Sequence, residues 1–211
     1  MGGDVGPHGS ADRSFRIPSV PVLGFAAWSG TGKTTLLEAV LPCLKARGWR
    51  VAVIKHAHHA FDVDTPGKDS YRLREAGATP MVVASGKRFA LMMETPGQDD
   101  PDLEQLIDQV MLSRPTLILV EGFKQAPIPK IELQRGELPH FGPRDGRRSG
   151  GLMAHRDPWV RAVICDSPRD KRAALAELPA RIDWLDLDDL DAIVAWIDAW
   201  ARRFRVESDT D

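Results

Sequence analysis

Three scarcities in the sequence narrow what the chain does. It holds two cysteines, Cys43 and Cys165, in 211 residues. They lie far apart without metal-type spacing, which excludes a disulfide framework and suits a reducing compartment. No apolar run reaches transmembrane length, and residues 1–19, rich in Gly, Ser and Pro, lack the apolar centre of a secretory signal. Net charge is also small, −2 from 28 Lys and Arg against 30 Asp and Glu, which argues against bulk nucleic-acid binding and a basic membrane face. The expectation is a cytoplasmic protein with neither nucleic acid nor membrane as partner.

Alternating apolar strands and helical patterns make up the rest. Residues 20–26 read as a strand and residues 33–47 as a helix with Leu37, Val40, Leu41 and Leu44 on one face, interrupted at Pro42 and stopped by Gly48. A second strand at 49–55 completes a β-α-β unit, whose strands are parallel by the handedness rule. After a polar loop come a short helix at 69–76 and two strands, 79–84 and 89–93, close enough for a hairpin. A helix at 101–112 leads to the apolar run 116–120, the mark of a fully buried parallel strand. Further strands are expected at 130–134 and 160–165 and a last helix at 188–204. The pattern predicts an α/β three-layer fold with a mostly parallel central sheet and an added hairpin. Residues 1–19 are expected to form a disordered leader, 20–206 a single domain, and 136–156, rich in Gly, Pro and Arg, a mobile loop within it.

Ala27-Trp28-Ser29-Gly30-Thr31-Gly32-Lys33-Thr34-Thr35 fits the phosphate-binding loop pattern, with Ala27 in the first position where Gly is commonest. Strand before and helix after supply the context the motif needs. Gly30 and Gly32 let the backbone turn so that several N–H groups, those of Ser29 and Thr31 included, face one point. The first turn of the helix adds unpaired N–H donors and the positive end of its dipole. Lys33 is placed to reach β- and γ-phosphates, Thr34 to ligate Mg²⁺ and Thr35 to bond the α-phosphate. The chain is thus expected to take a P-loop NTPase fold.

Two further groups follow buried strands, and such residues lie at the carboxyl edge where open α/β sheets bind ligands. Glu121, directly after 116–120, is a candidate Mg²⁺ and catalytic acid. The loop after the second strand carries Asp62, a candidate catalytic residue, Asp64, a candidate nucleotide contact, and His56, His58 and His59. Three histidines within four residues suit a substrate or switch loop better than one metal centre. No arginine finger or water-positioning Gln is recognisable.

These stretches resemble the molybdopterin-guanine dinucleotide biosynthesis protein B family. The likeness rests on residues 25–37, on Ile54-Lys55-His56-Ala57-His58-His59 with Asp62, Asp64 and residues 66–70, and on residues 117–124. It extends from Pro21 to Arg135. The resemblance implies a GTP-binding adapter with weak GTPase activity, dimeric, using GTP and Mg²⁺. It further implies assistance in attaching GMP to molybdopterin, with the pathway's guanylyltransferase as partner. Phosphate binding then falls to Gly30, Gly32, Lys33, Thr34 and Thr35. Two other readings stay open: a P-loop small-molecule kinase, for which the 143–156 arginines would be a lid, and a metal-insertion GTPase.

Overall fold

The computed structural model describes residues 15–16, 18–28, 30–57, 61–97, 100–136, 152–166 and 179–208. It divides into two compact units: one of residues 1–55 and 103–211, the other of residues 56–102. The two strands expected to form a hairpin make a sheet of their own, in the smaller unit.

In the larger unit six strands lie in the order β2-β5-β1-β6-β7-β8, every neighbouring pair parallel. They are β1 (Val22–Ala26), β2 (Val51–Lys55), β5 (Leu117–Glu121), β6 (Lys130–Gln134), β7 (Val160–Cys165) and β8 (Asp183–Asp186). β8 is absent from the sequence reading. Helix α1 (Lys33–Ala46) runs on through Pro42 between β1 and β2, α3 (Leu103–Met111) precedes β5, and α4 (Leu190–Ser208) closes the chain.

Side chains alternate across a strand, so each strand feeds two cores. Leu23 and Phe25 of β1, Leu117 and Leu119 of β5, and Ile131 and Leu133 of β6 pack on one face with Leu37, Val40 and Leu44 of α1 and Ile193 and Ile197 of α4. Val22, Ile118 and Val120 point the other way, onto Leu103 and Ile107 of α3. Phe15 packs against this second cluster, and the Arg16 backbone N–H donates to Glu104 Oε1 at 3.1 Å while its guanidinium pairs with Asp108. Phe15 and Arg16 thus pack onto this unit; residues 1–14 and 17 of the expected leader lie outside the described residues. Gly24 lies at a close approach: a Cβ there would stand 3.1 Å from Lys130 Cβ and 3.3 Å from Ile128 Cδ1.

Of the loop expected at 136–156, residues 137–151 lie outside the described residues, and Met153–His155 form a 3₁₀ turn. Buried Glu132 holds this turn. Oε1 accepts the Met153 N–H at 2.8 Å and Oε2 that of Ala154 at 2.9 Å. Burial pushes the Glu132 carboxyl above its ordinary range and the Asp157 charge adds to this, while the two N–H donors oppose it. A carboxyl with a folded pKa above its unfolded value of about 4.3 favours folding most below that value, and the contribution is lost as pH rises through the folded pKa. Urea titrations of wild type and Glu132→Gln from pH 4 to 7 are therefore expected to show the wild type losing stability relative to the variant as pH rises. A constant difference would refute the linkage.

The smaller unit holds α2 (Asp69–Glu75) and the antiparallel pair β3 (Met81–Ala84) and β4 (Phe89–Met92), the expected hairpin. Its surface shows Phe61, Val63, Leu73, Val82, Phe89 and Leu91, all exposed. Among the described residues no helix is long and apolar enough to cross a membrane.

Candidate functional site

β1 and β5 end side by side, with Phe25 opposite Glu121, and β2 continues the row with Lys55 opposite Glu121. The loop from Ala27 to Gly32 leaves β1 at this edge and enters α1. Gly32 is the residue before the helix and sits in the left-handed region at φ +95°, which disfavours a side chain by about 1–2 kcal/mol. Its carbonyl accepts the Leu36 N–H at 3.0 Å, and no side chain caps the helix. The helix start thus keeps backbone donors for an anion. Thr31 Oγ1 donates to the Trp28 carbonyl at 2.7 Å and closes the loop.

Three side chains meet beneath it. Thr34 Oγ1 donates to Glu121 Oε1 at 3.1 Å. Lys55 Nζ lies 3.3 Å from Thr34 Oγ1 and 3.4 Å from Glu121 Oε2. Lys33 Nζ donates to the carbonyls of Trp28 at 3.2 Å and Ala27 at 3.4 Å. Burial pulls the Lys33 ammonium below its ordinary pKa, and the charges of Lys124 and Lys55 do so further, against the attraction of Glu121. Lys124 in turn stands 4.7 Å from the ring centroid of Trp28. The Glu121 carboxylate thus faces two ammonium groups, those of Lys33 and Lys55, with Lys124 acting on Lys33 as well, an excess of positive charge that suits a polyanion.

The oxygens fit a magnesium ion. Neighbouring ligands on octahedral Mg²⁺, with bonds of about 2.0–2.1 Å, are about 2.9 Å apart, and Mg²⁺ prefers hydroxyl, carboxylate and phosphate oxygens. Thr34 Oγ1 and Glu121 Oε1 have that chemistry and nearly that spacing.

The sequence reading finds no arginine here, yet Arg135 follows β6 directly. Its guanidinium carbon and both terminal nitrogens lie 3.6 Å from where a Cβ on Gly32 would stand. The available signal is position: β6 and β5 are the two neighbours of β1, and the residues that end them face the same loop.

The structure brings Lys33, Thr34 and Glu121 together, with Gly30, Gly32 and Thr31 in the loop and Thr35 in the first turn of α1. Asp62 and Asp64 belong to the smaller unit, where Arg74 holds both. It donates to Asp62 Oδ1 at 2.9 Å, Asp64 Oδ1 at 3.2 Å and Glu94 Oε1 at 2.9 Å. These bonds, that to Glu94 first, raise the Arg74 pKa above its ordinary value. His56 Nε2 is 3.4 Å from Asp100 Oδ1. Ser29, His58 and His59 lie outside the described residues, among which no group of three or more His, Cys, Asp or Glu side chains could hold a metal.

Residues 22–148 match the family model for molybdopterin guanine dinucleotide synthesis protein B. The chain belongs to that family. It is 45% identical over 184 residues to the molybdopterin-guanine dinucleotide biosynthesis adapter protein of Escherichia coli K12, spanning 87% of this chain and 95% of the relative. Identity to the adapter protein of Haemophilus influenzae Rd is 40%, over 90% of this chain and 94% of that one. A crystal structure of molybdopterin-guanine biosynthesis protein B superposes with a TM-score of 0.58 at 27% identity, covering 86% of this chain and 99% of the other. The sheet order, the loop and these relatives define an α/β P-loop fold. Membership sets the chain within molybdenum cofactor biosynthesis.

Proposed function

We propose that this chain is a GTP-binding adapter that hydrolyses GTP slowly and assists the attachment of GMP to molybdopterin through a partner guanylyltransferase. One observation carries the nucleotide half: Lys33, Thr34 and Glu121 converge at the ends of β1 and β5, next to the left-handed Gly32. The adapter half rests on the relatives, whose names describe adapter proteins of molybdopterin-guanine dinucleotide biosynthesis.

In this reading the N–H groups of residues 29–32 cradle the phosphates and Lys33 leaves its two carbonyls for the β- and γ-phosphates. Thr35 bonds the α-phosphate. Thr34 and Glu121 hold Mg²⁺, which when bound neutralises charge on the phosphates. A catalytic role for Asp62 or a nucleotide contact from Asp64 requires Arg74 to release the carboxylate it holds. The exposed apolar side chains of the hairpin unit favour a homodimer, since a two-stranded sheet is marginal alone and such patches mark interfaces. A cytoplasmic location belongs to the same proposal.

The test is a pull-down of the tagged chain from cells that make the cofactor, with the bound nucleotide identified, followed by GTP and ATP titrations. Retention of a guanine nucleotide and of the guanylyltransferase is expected, with GTP preferred to ATP by at least about tenfold. Equal or stronger ATP binding would defeat the guanine assignment. Release of nucleoside diphosphate that depends on an added small substrate would favour the kinase, and stoichiometric retained Zn²⁺ or Ni²⁺ the metal-insertion reading.

A further inference from the structure

Lys55 lies outside every motif that gives the loop its chemistry, yet it reaches the centre of the site. It ends β2, Glu121 ends β5, and the parallel register sets the two opposite each other. Its ammonium is 3.4 Å from Glu121 Oε2 and 3.3 Å from Thr34 Oγ1, while those two residues are themselves joined at 3.1 Å. A surface ion pair of one lysine and one carboxylate is ordinarily of little account. Here the third partner changes the meaning. Lys55 bridges the same hydroxyl and the same carboxylate whose oxygens suit Mg²⁺.

We propose that Lys55 is a resident cation that occupies the metal's place in the nucleotide-free protein and makes metal binding depend on nucleotide. This rests on the reading of Thr34 and Glu121 as the metal-holding pair. Glu121 carries one negative charge and is already matched by one ammonium. A dication entering beside Lys55 would face its charge and, close by, those of Lys33 and Lys124. Coulomb repulsion at such separations is weakened but not abolished by solvent. Phosphates reverse the balance, because they bring several negative charges that attract Lys55 and supply ligands to the ion. The Lys55 side chain is 54% exposed on a flexible stem, so it can leave Glu121 without disturbing the sheet. Metal and nucleotide then arrive as a pair.

The experiment measures Mn²⁺, a paramagnetic substitute for Mg²⁺, by electron paramagnetic resonance on the full chain, with and without GTP. Wild type is expected to bind Mn²⁺ weakly without nucleotide and more tightly with GTP. Lys55→Met should bind Mn²⁺ without nucleotide at least about tenfold more tightly than wild type. Lys55→Arg, which keeps the charge, should behave like wild type, and adding Glu121→Gln to Lys55→Met should abolish the gain. Equal nucleotide-free affinities of wild type and Lys55→Met would overturn the proposal. So would a gain in Lys55→Arg, or one that survives Glu121→Gln. Thermal melting checks the fold, with Lys55→Gln as the second neutral variant. A wild type that binds no nucleotide would sink the function proposed above, but the nucleotide-free comparison still decides the role of Lys55.

Discussion

Lys33→Ala is expected to lower affinity for GTP by at least about a hundredfold, the loss of one or two charge-assisted hydrogen bonds to phosphate. Lys33 spends its ammonium on the carbonyls of Trp28 and Ala27, at 3.2 and 3.4 Å. Those bonds are long, so the fold loses little with the side chain. Burial and the nearby charges of Lys124 and Lys55 already disfavour the ammonium there. A phosphate relieves that conflict, which is why the effect should fall on binding rather than on stability. Isothermal titration with GTP, alongside thermal melting, separates the two. Affinity unchanged within about twofold would remove the phosphate-loop assignment and the proposed function with it. Lys33→Arg is expected to restore little, because a planar guanidinium does not replace a compact ammonium at the end of a straight stem.

That such a prediction can be read from sequence reflects how local the loop chemistry is. Two glycines, a lysine and a hydroxyl in fixed spacing between strand and helix specify their own conformation, and Gly32 takes the positive φ its place demands. Glu121 was legible for a related reason: it ends an unbroken apolar run, and such a residue must emerge at the sheet edge. What depends on pairing across the chain was not legible. β8 is a four-residue edge strand of sequence Asp-Trp-Leu-Asp, half acidic, with no apolar run to mark it. The hairpin was recognisable from its own turn, but nothing local says that it pairs only with itself and forms a unit apart from the main sheet. Lys55 and Arg135 reach the loop from strand ends far away in sequence, so spacing carries no trace of them.

β6 makes the limit plainest. Its sequence, Lys-Ile-Glu-Leu-Gln, alternates polar and apolar in the manner of a strand with one wet face, yet all five residues are buried. The polar face is dry because each polar group answers a specific partner. Lys130 is 1% exposed, with Nζ donating to the Lys124 carbonyl at 2.7 Å, the Ala126 carbonyl at 2.8 Å and Asp157 Oδ2 at 2.8 Å. A lysine has three such donors, and all three are used. This ammonium joins the segment after β5 to the segment before β7.

Lys130→Met keeps the apolar stem and removes the donors, leaving two carbonyls and a carboxylate without their partner. Breaking a buried pair from one side is expected to destabilise by about 3–5 kcal/mol. In a chain of this size that corresponds to a fall in Tm on the order of 10 °C. Removing the carboxylate as well should recover part of the loss, because Asp157→Asn no longer strands a charge, although Asp157 Oδ1 also accepts the Trp159 N–H at 2.8 Å. Chemical denaturation of the two single variants and the double variant reads the coupling directly, and additive losses would mean the pair is not coupled. The substitution should also reach the proposed nucleotide site. Lys124, whose carbonyl Lys130 holds, places its own ammonium over Trp28 at the phosphate loop. GTP affinity measured well below the melting temperature should therefore weaken in Lys130→Met even though no part of Lys130 touches the loop. A variant that melts early yet binds GTP as wild type would show that Lys130 supports the sheet without setting the site.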